Sequence, residues 1–437
     1  MKSVTCVVFT IIFIFSAIYV FKHEKYSWRI EILKGYPVNF SVNRGQDLEF
    51  YLNPQVDHKK GVVCIYDINH NIVDSLILNL KKQDISFDTL MYEHGYQYAH
   101  KYTYNTSKLK SGMYFMGNIV PFLIKEPQLK NSITVVFPFG NFIALSNEGG
   151  KSFVASNSSQ GIIAQRLSLH RLPEYTNNPF SFISWMTKTY GHKNLNFISD
   201  LDLENKENVA QTDLLILYGY QGFWTIKERQ SLDHYLDQGG KLLAMCTSLI
   251  NYKMTYHRDK NQLTFNVPTG IPDSLQNEKN AATWNNFYVN TKSIGCSNEL
   301  ICNPEKLREN RGAYAIINKK HPIFQGIEVE AVKMDTKNGN AIAILDCNFD
   351  EIPEPNRKIN DFVLNEILAF DYDERHKRQV ITGIFNFKKT VKSGEIIVIG
   401  NEKWCFGENL EKEIISKITC NSIDFLSSDS TSNTILK

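Results

Sequence analysis

The apolar positions of this chain follow two regimes. From about Trp28 to Lys125 they come in short runs, with strand-like alternation in Tyr36-Pro-Val-Asn-Phe-Ser-Val42 and further runs at Leu48–Leu52, Val62–Tyr66, Ile72–Leu80 and Met113–Phe115. Turn residues separate them: Asn43-Arg-Gly45, Asn69-His-Asn71 and Lys110-Ser-Gly112. Regular short strands with turn signals predict a β-sandwich of the immunoglobulin-like kind over 28–126. Pro127 marks the linker.

From Ser132 onward, strand and helix patterns alternate. The clearest unit is Asp213-Leu-Leu-Ile-Leu-Tyr218, the loop Gly219–Trp224, a polar-apolar helix over Thr225–Gln238, a Gly239-Gly240 stop, and a second apolar run Lys241–Cys246. Two continuous apolar runs around such a helix predict a βαβ unit in a buried parallel sheet. Further strands are expected at Ile133–Phe137, Asn194–Ser199, Ala341–Asp346, Val380–Phe387 and Glu395–Gly400. Helices are expected at Pro179–Tyr190, with Asn178 as its cap, and at Leu410–Leu426. This is the layout of a doubly wound α/β domain over 131–426. The polar tail 427–437 is expected to be disordered.

Residues Val4 to Phe21 form an uncharged, mostly apolar run of 18. As a helix it would be about 27 Å long, close to the thickness of a bilayer core. A cleaved secretory signal and an uncleaved transmembrane anchor (1–25) both fit. Ser16-Ala17 is the only small pair and Phe15 works against cleavage there, which favours the anchor. Either way most of the chain is expected outside the cytoplasm, with the membrane as a partner.

Charge narrows the classes further. With 48 basic and 46 acidic residues interspersed, no basic stripe points to nucleic acid. Among eight cysteines there is no Cys-x-x-Cys, and only Cys296 and Cys302 suit a local disulfide. Asn39, Asn105 and Asn157 begin glycosylation triplets.

Ligands in parallel sheets bind at the carboxyl ends of the strands, where the loop Gly219–Trp224 sits. It carries no carboxylate, histidine or cysteine, but it offers the aromatics Tyr220, Phe223 and Trp224 as a ligand cleft or as core packing. Cys246 stands near the place of a nucleophile elbow, with His257 and His321 as candidate bases. Ala244 and Ser248 replace the flanking glycines of such an elbow, so a buried structural cysteine competes with catalysis. Asp200 and Asp202 end a strand, as catalytic carboxylates or as turn and cap residues. Arg171 suits an anion, or a pairing with one of these aspartates.

Several segments, in order, resemble the large (beta) subunit of N,N-dimethylformamidase and its relatives. They are Asn141-Phe-Ile-Ala-Leu-Ser-Asn-Glu-Gly-Gly-Lys-Ser152, Ser168-Leu-His-Arg-Leu-Pro173, Phe197–Leu203, Gly219–Thr225, His321–Gly326, Glu395–Trp404 and Ile418–Asn421. The resemblance covers nearly everything after the N-terminal segment and implies a class I glutamine-amidotransferase-like α/β fold. In the family a Gly-His-x-Glu-Tyr-Trp-Ser loop is thought to supply a metal-ligating glutamate and a catalytic histidine, with tyrosines completing an iron site. Here the histidine position is Tyr220, the glutamate position is Gly222, and one tyrosine position is Leu145. Tyr175 is a loose match to the other tyrosine. Oxygen-ligated metal cannot be held by leucine and glycine side chains, so no metal or other cofactor is expected. The resemblance therefore implies a non-catalytic binding or assembly protein with a protein or small-molecule ligand. Two alternatives stay open. A divergent hydrolase of C–N bonds would use Cys246 or a rebuilt site, and a glycan-binding envelope protein would need Tyr220, Phe223 and Trp224 exposed together.

Overall fold

The computed structural model describes residues 32–83, 88–173, 175, 178–247, 250, 252–265, 313–329, 331–333, 358–359, 362–372, 381–389, 393–400 and 402–428. The apolar run Val4–Phe21, the pair Cys296 and Cys302, the strand expected at Ala341–Asp346 and most of the expected tail lie outside these residues. Among the described residues no helix is long and apolar enough to cross a membrane. The membrane-anchored placement expected from the sequence is corrected accordingly.

The chain is a mixed α/β protein in which strands dominate. In its first part, β1 (Ile32–Pro37), β3 (Asp47–Pro54) and β6 (Lys101–Asn105) form a three-stranded sheet. A second sheet runs β2 (Ser41–Asn43), β8 (Val120–Lys125), β7 (Gly112–Met116), β4 (His58–Asp67) and β5 (Ile72–Leu80). Alternate side chains of both sheets meet in one core: Leu48, Phe50 and Leu52 from the first, Ile65, Met116 and Phe122 from the second. The alternation in the sequence is thus the two-sidedness of a strand such as β3, whereas β7 and β8 are buried on both faces, Met113, Phe115 and Leu123 packing into the core of the main sheet.

Among the described residues the main sheet has ten strands. Its parallel part has the order β11-β9-β12-β14-β23, formed by β9 (Ser132–Phe137), β11 (Leu195–Ser199), β12 (Thr212–Tyr220), β14 (Lys241–Thr247) and β23 (Glu395–Ile399). Beyond β23, the strands β22 (Ile381–Lys388), β21 (Phe362–Tyr372), β18 (Ala313–Ile316) and β19 (Ala331–Lys333) continue antiparallel, and β20 (Lys358–Ile359) pairs with β21. A small three-stranded sheet has the order β10 (Arg166–Ser168), β17 (Gln262–Thr264), β16 (Thr255–His257), and β13 (Phe223–Trp224) pairs with β15 (Tyr252–Lys253).

Both faces of the parallel part are buried, which is why its strands read as unbroken apolar runs. One face places Phe137, Ile216, Tyr218, Leu243 and Met245 against the helices α2 (Phe180–Tyr190) and α4 (Glu413–Ser427). The other places Val136, Leu215, Leu217, Leu242 and Ala244 against α3 (Ile226–Asp237). A short helix, α1 (Phe139–Leu145), follows β9 directly.

Helix limits follow from local chemistry. Thr225 caps α3 in a capping box: its hydroxyl accepts from Glu228 N at 3.2 Å, and Glu228 Oε2 accepts from Thr225 N at 2.7 Å. Gly239, at φ +94°, ends that segment in a conformation glycine adopts without penalty. The expected cap of α2 is corrected. Asn178 is in the left-handed region at φ +47°, and the residue at the cap position is Pro179, which has no side-chain acceptor.

Candidate functional site

The carboxyl ends of β9, β11 and β12 converge on one buried knot. Asp200, directly after β11, is wholly buried and accepts from Gly140 N (2.8 Å), Asn141 N (3.1 Å), Asn141 Nδ2 (2.9 Å) and Leu201 N (2.9 Å). It thereby holds the N-terminal turn of α1, where N–H groups have no helical partners and favour an anion. Asn141 passes the tie onward, its Oδ1 accepting from Phe223 N at 2.6 Å. Three loops from three strands are thus joined through one carboxylate and one amide.

Burial pushes the Asp200 carboxyl up to about 6, against the hydrogen bonds that hold it down. Glu228, the cap partner of α3, is also wholly buried, and burial followed by the neighbouring Asp200 charge raises it well above the usual carboxylate range. Its Oε1 has no hydrogen-bond partner among the described residues. Both carboxyls act on backbone, as turn and cap residues do. Asp202 is placed differently. It binds the Lys125 ammonium and the Ser41 hydroxyl from the second sheet, and Ser199 N at 2.8 Å.

Arg171 pairs with neither aspartate. Its guanidinium is 1% exposed and donates to the carbonyls of Ile143, Ser146, Glu148 and Lys151, binding the end of α1 and the loop after it. Burial lowers its pKa to about 9, which leaves it charged at neutral pH. The anion-site expectation is corrected: carbonyl oxygens already occupy the fork.

The loop after β12 is clamped from a second side. Backbone amides of Ile250, Tyr252 and Met254 donate to the carbonyls of Gln221, Gly222 and Trp224 at 2.7–2.9 Å. This pairing drives the loop inward. Trp224 is 0% and Phe223 1% exposed, and they lie in the cores of opposite sheet faces. Phe223 packs on Tyr252, Phe265 and Phe153 with ring centroids 4.9–5.9 Å apart. The expectation of an aromatic cleft is corrected to core packing for these two, and only Tyr220 is half-buried.

Tyr220 covers Gly222. A Cβ on Gly222 would stand 2.6 Å from the Tyr220 hydroxyl oxygen and 2.7 Å from Cε1 and Cζ. Of the positions matched above to the family's metal ligands, Leu145 has only hydrocarbon to offer and Gly222 has no side chain. Tyr175 is packed among Phe137, Phe142 and Phe180, with its hydroxyl buried and unpartnered among the described residues. These residues do not fit an iron ion. Among the described residues no group of three His, Cys, Asp or Glu is placed to hold a metal.

The structure does not place the thiol candidate at an open site. Cys246 is 4% exposed in the core face that holds Leu217, Trp224 and Ala244. His257 Nε2 bonds Thr264 Oγ1 at 3.1 Å within a surface hairpin. His321 accepts from Ile323 N at 3.4 Å and meets Phe425 edge-on. Sequence reasoning missed Asn141 and Glu228. The Thr225-x-x-Glu228 spacing signalled the second, whereas the first is tied to partners 59 and 82 positions away.

Two cavities open nearby. One of about 450 Å³ lies beside Leu145 and is lined by Ser146, Asn147, Ser156 and Ser158. The other, of about 300 Å³, lies between the second sheet and the loop after β11.

These features define a mixed α/β protein whose strand-end loops are tied together by buried polar groups. The chain belongs to the family described as "N,N-dimethylformamidase beta subunit-like, C-terminal", whose family model matches residues 77–409. No curated protein matches the chain. Among solved structures it is similar to one described as "mmIFT52 N-terminal domain", at 12% identity over 57% of this chain and 91% of that one, TM-score 0.29. It is also similar to a beta-galactosidase from Bacillus circulans sp. alkalophilus, at 11% identity over 67% of this chain and 31% of that one, TM-score 0.34. Similarity at this level carries no functional argument.

Proposed function

We propose that this chain is a non-catalytic member of its family, a binding or assembly protein in which packing has replaced the metal and catalytic centre. We take 131–426 as a doubly wound, class I glutamine-amidotransferase-like domain, preceded by an immunoglobulin-like sandwich over 28–126. The parallel strand order and the helices on both faces support this. The observation that carries the functional reading is the Tyr220 ring over Gly222, which takes the space a ligating side chain at 222 would need. Fold alone does not bring the family's activity with it.

The test is hydrolysis of N,N-dimethylformamide by the purified chain, followed as dimethylamine release, with metal content measured on the same sample. The expected result is no release above the protein-free rate and substoichiometric iron. Turnover with one iron per chain would overturn the proposal.

A further inference from the structure

The cleft of about 300 Å³ lies at the carboxyl ends of β9 and β11, roofed by the second sheet. Its volume is at the small end of the range of ligand sites, about 300–1,000 Å³. Its lining mixes polar side chains with Val38, Leu169 and Leu201, over a floor where Phe40 and Phe139 stack with centroids 3.8 Å apart. One buried acceptor there is unsatisfied, and one exposed cation is only loosely paired. The Arg258 guanidinium makes no hydrogen bond among the described residues. It lies over the Tyr256 ring at 5.4 Å, and Glu204 stands off at 3.9 Å. Asn43 Oδ1 is buried without a hydrogen-bond partner. The lining's other cation, Lys125, is committed to Asp202.

A loosely paired donor fork, an orphan acceptor, the amide nitrogen of the exposed Gln46 and the Tyr256 ring ask for a ligand that both donates and accepts and has an apolar flank. A compact anion would satisfy Arg258 and leave Asn43 unpaired. We propose that this cleft binds a saccharide of one or two rings, whose hydroxyls bridge Asn43 and Arg258 and whose C–H face rests against Tyr256. This site does not depend on the loss of catalysis proposed above, and it lies apart from the loop Gly219–Trp224.

The experiment uses the full chain made in bacteria, so that the Asn39-Phe40-Ser41 triplet carries no glycan. Glucose, N-acetylglucosamine and glucuronate are titrated by saturation-transfer NMR and calorimetry, with inorganic phosphate as a charge-only probe. The expected result is saturable binding of at least one sugar. Binding should weaken about tenfold in Arg258→Ala, as expected for a lost charge-assisted hydrogen bond. A similar loss is expected in Asn43→Leu, with no change in Ser156→Ala in the other cavity. The solvent-exposed Gln46→Ala serves as a further probe if Asn43→Leu fails to fold. Binding of phosphate alone, binding of no sugar, or sugar binding that survives Arg258→Ala would each overturn the proposal.

Discussion

The Tyr220 phenol ring occupies the position that a side chain on Gly222 would take, its hydroxyl oxygen 2.6 Å from where that Cβ would be. The two residues are therefore coupled. Gly222→Glu should destabilise the chain by about 1–3 kcal/mol, the usual cost of overpacking. The same change should cost clearly less in a Tyr220→Ala background. Urea denaturation of the four proteins in a double-mutant cycle measures this coupling. Additive costs would mean that the ring moves aside freely.

Asn141 joins a buried carboxylate to a buried amide. Asn141→Ala leaves Phe223 N–H unpaired and removes one of four donors to Asp200, whose Oδ2 keeps the backbone N–H of residue 141, which predicts a loss of about 1–3 kcal/mol. The midpoint of chemical unfolding reports it. A loss below about 0.5 kcal/mol, the range of ordinary surface substitutions, would show that water replaces the amide.

Asp200 links folding to pH. Its folded pKa of about 6 stands above the value of 3.8 for a free side chain, so the folded state binds the extra proton between them. Its contribution to stability must fall as pH rises from about 4 to 6, by an amount on the order of 3 kcal/mol. Glu228, raised by burial, adds a slope of the same sign from its own ordinary value upward. Asp200→Asn should flatten the stability profile over this window, and an unchanged slope would assign it elsewhere.

Arg171 reaches four carbonyls because its fork is planar and has five donors. Lysine concentrates three donors at one point. Arg171→Lys should therefore cost about 2–4 kcal/mol, read as a lowered unfolding midpoint, while sugar binding in the folded fraction stays intact.

The sequence made much of the frame legible. The run Ile72–Leu80 is a strand with those limits, and the helix expected over Thr225–Gln238 is Ile226–Asp237 between its cap and its glycine. These are local signals, a period and two end residues. The seven-residue α1 has no such signal, since nearly all its side chains are buried and the carboxylate that accepts from its first turn, Asp200, lies 59 positions from Asn141. The site was less legible because its determinants are long-range. Phe223 and Trp224 look like a cleft in sequence, and only the pairing with 250–254 turns them inward. Arg171 gives no sign in sequence that four carbonyls wait for it.

The loop after β12 is held on one flank by the Asn141 amide and on the other by three backbone bonds from 250–254. A segment gripped on both flanks has no hinge. Its amide protons should exchange with solvent only when the whole sheet opens, on the slow timescale of global unfolding. The segment serves as a keystone, and any conformational signal must travel by another route.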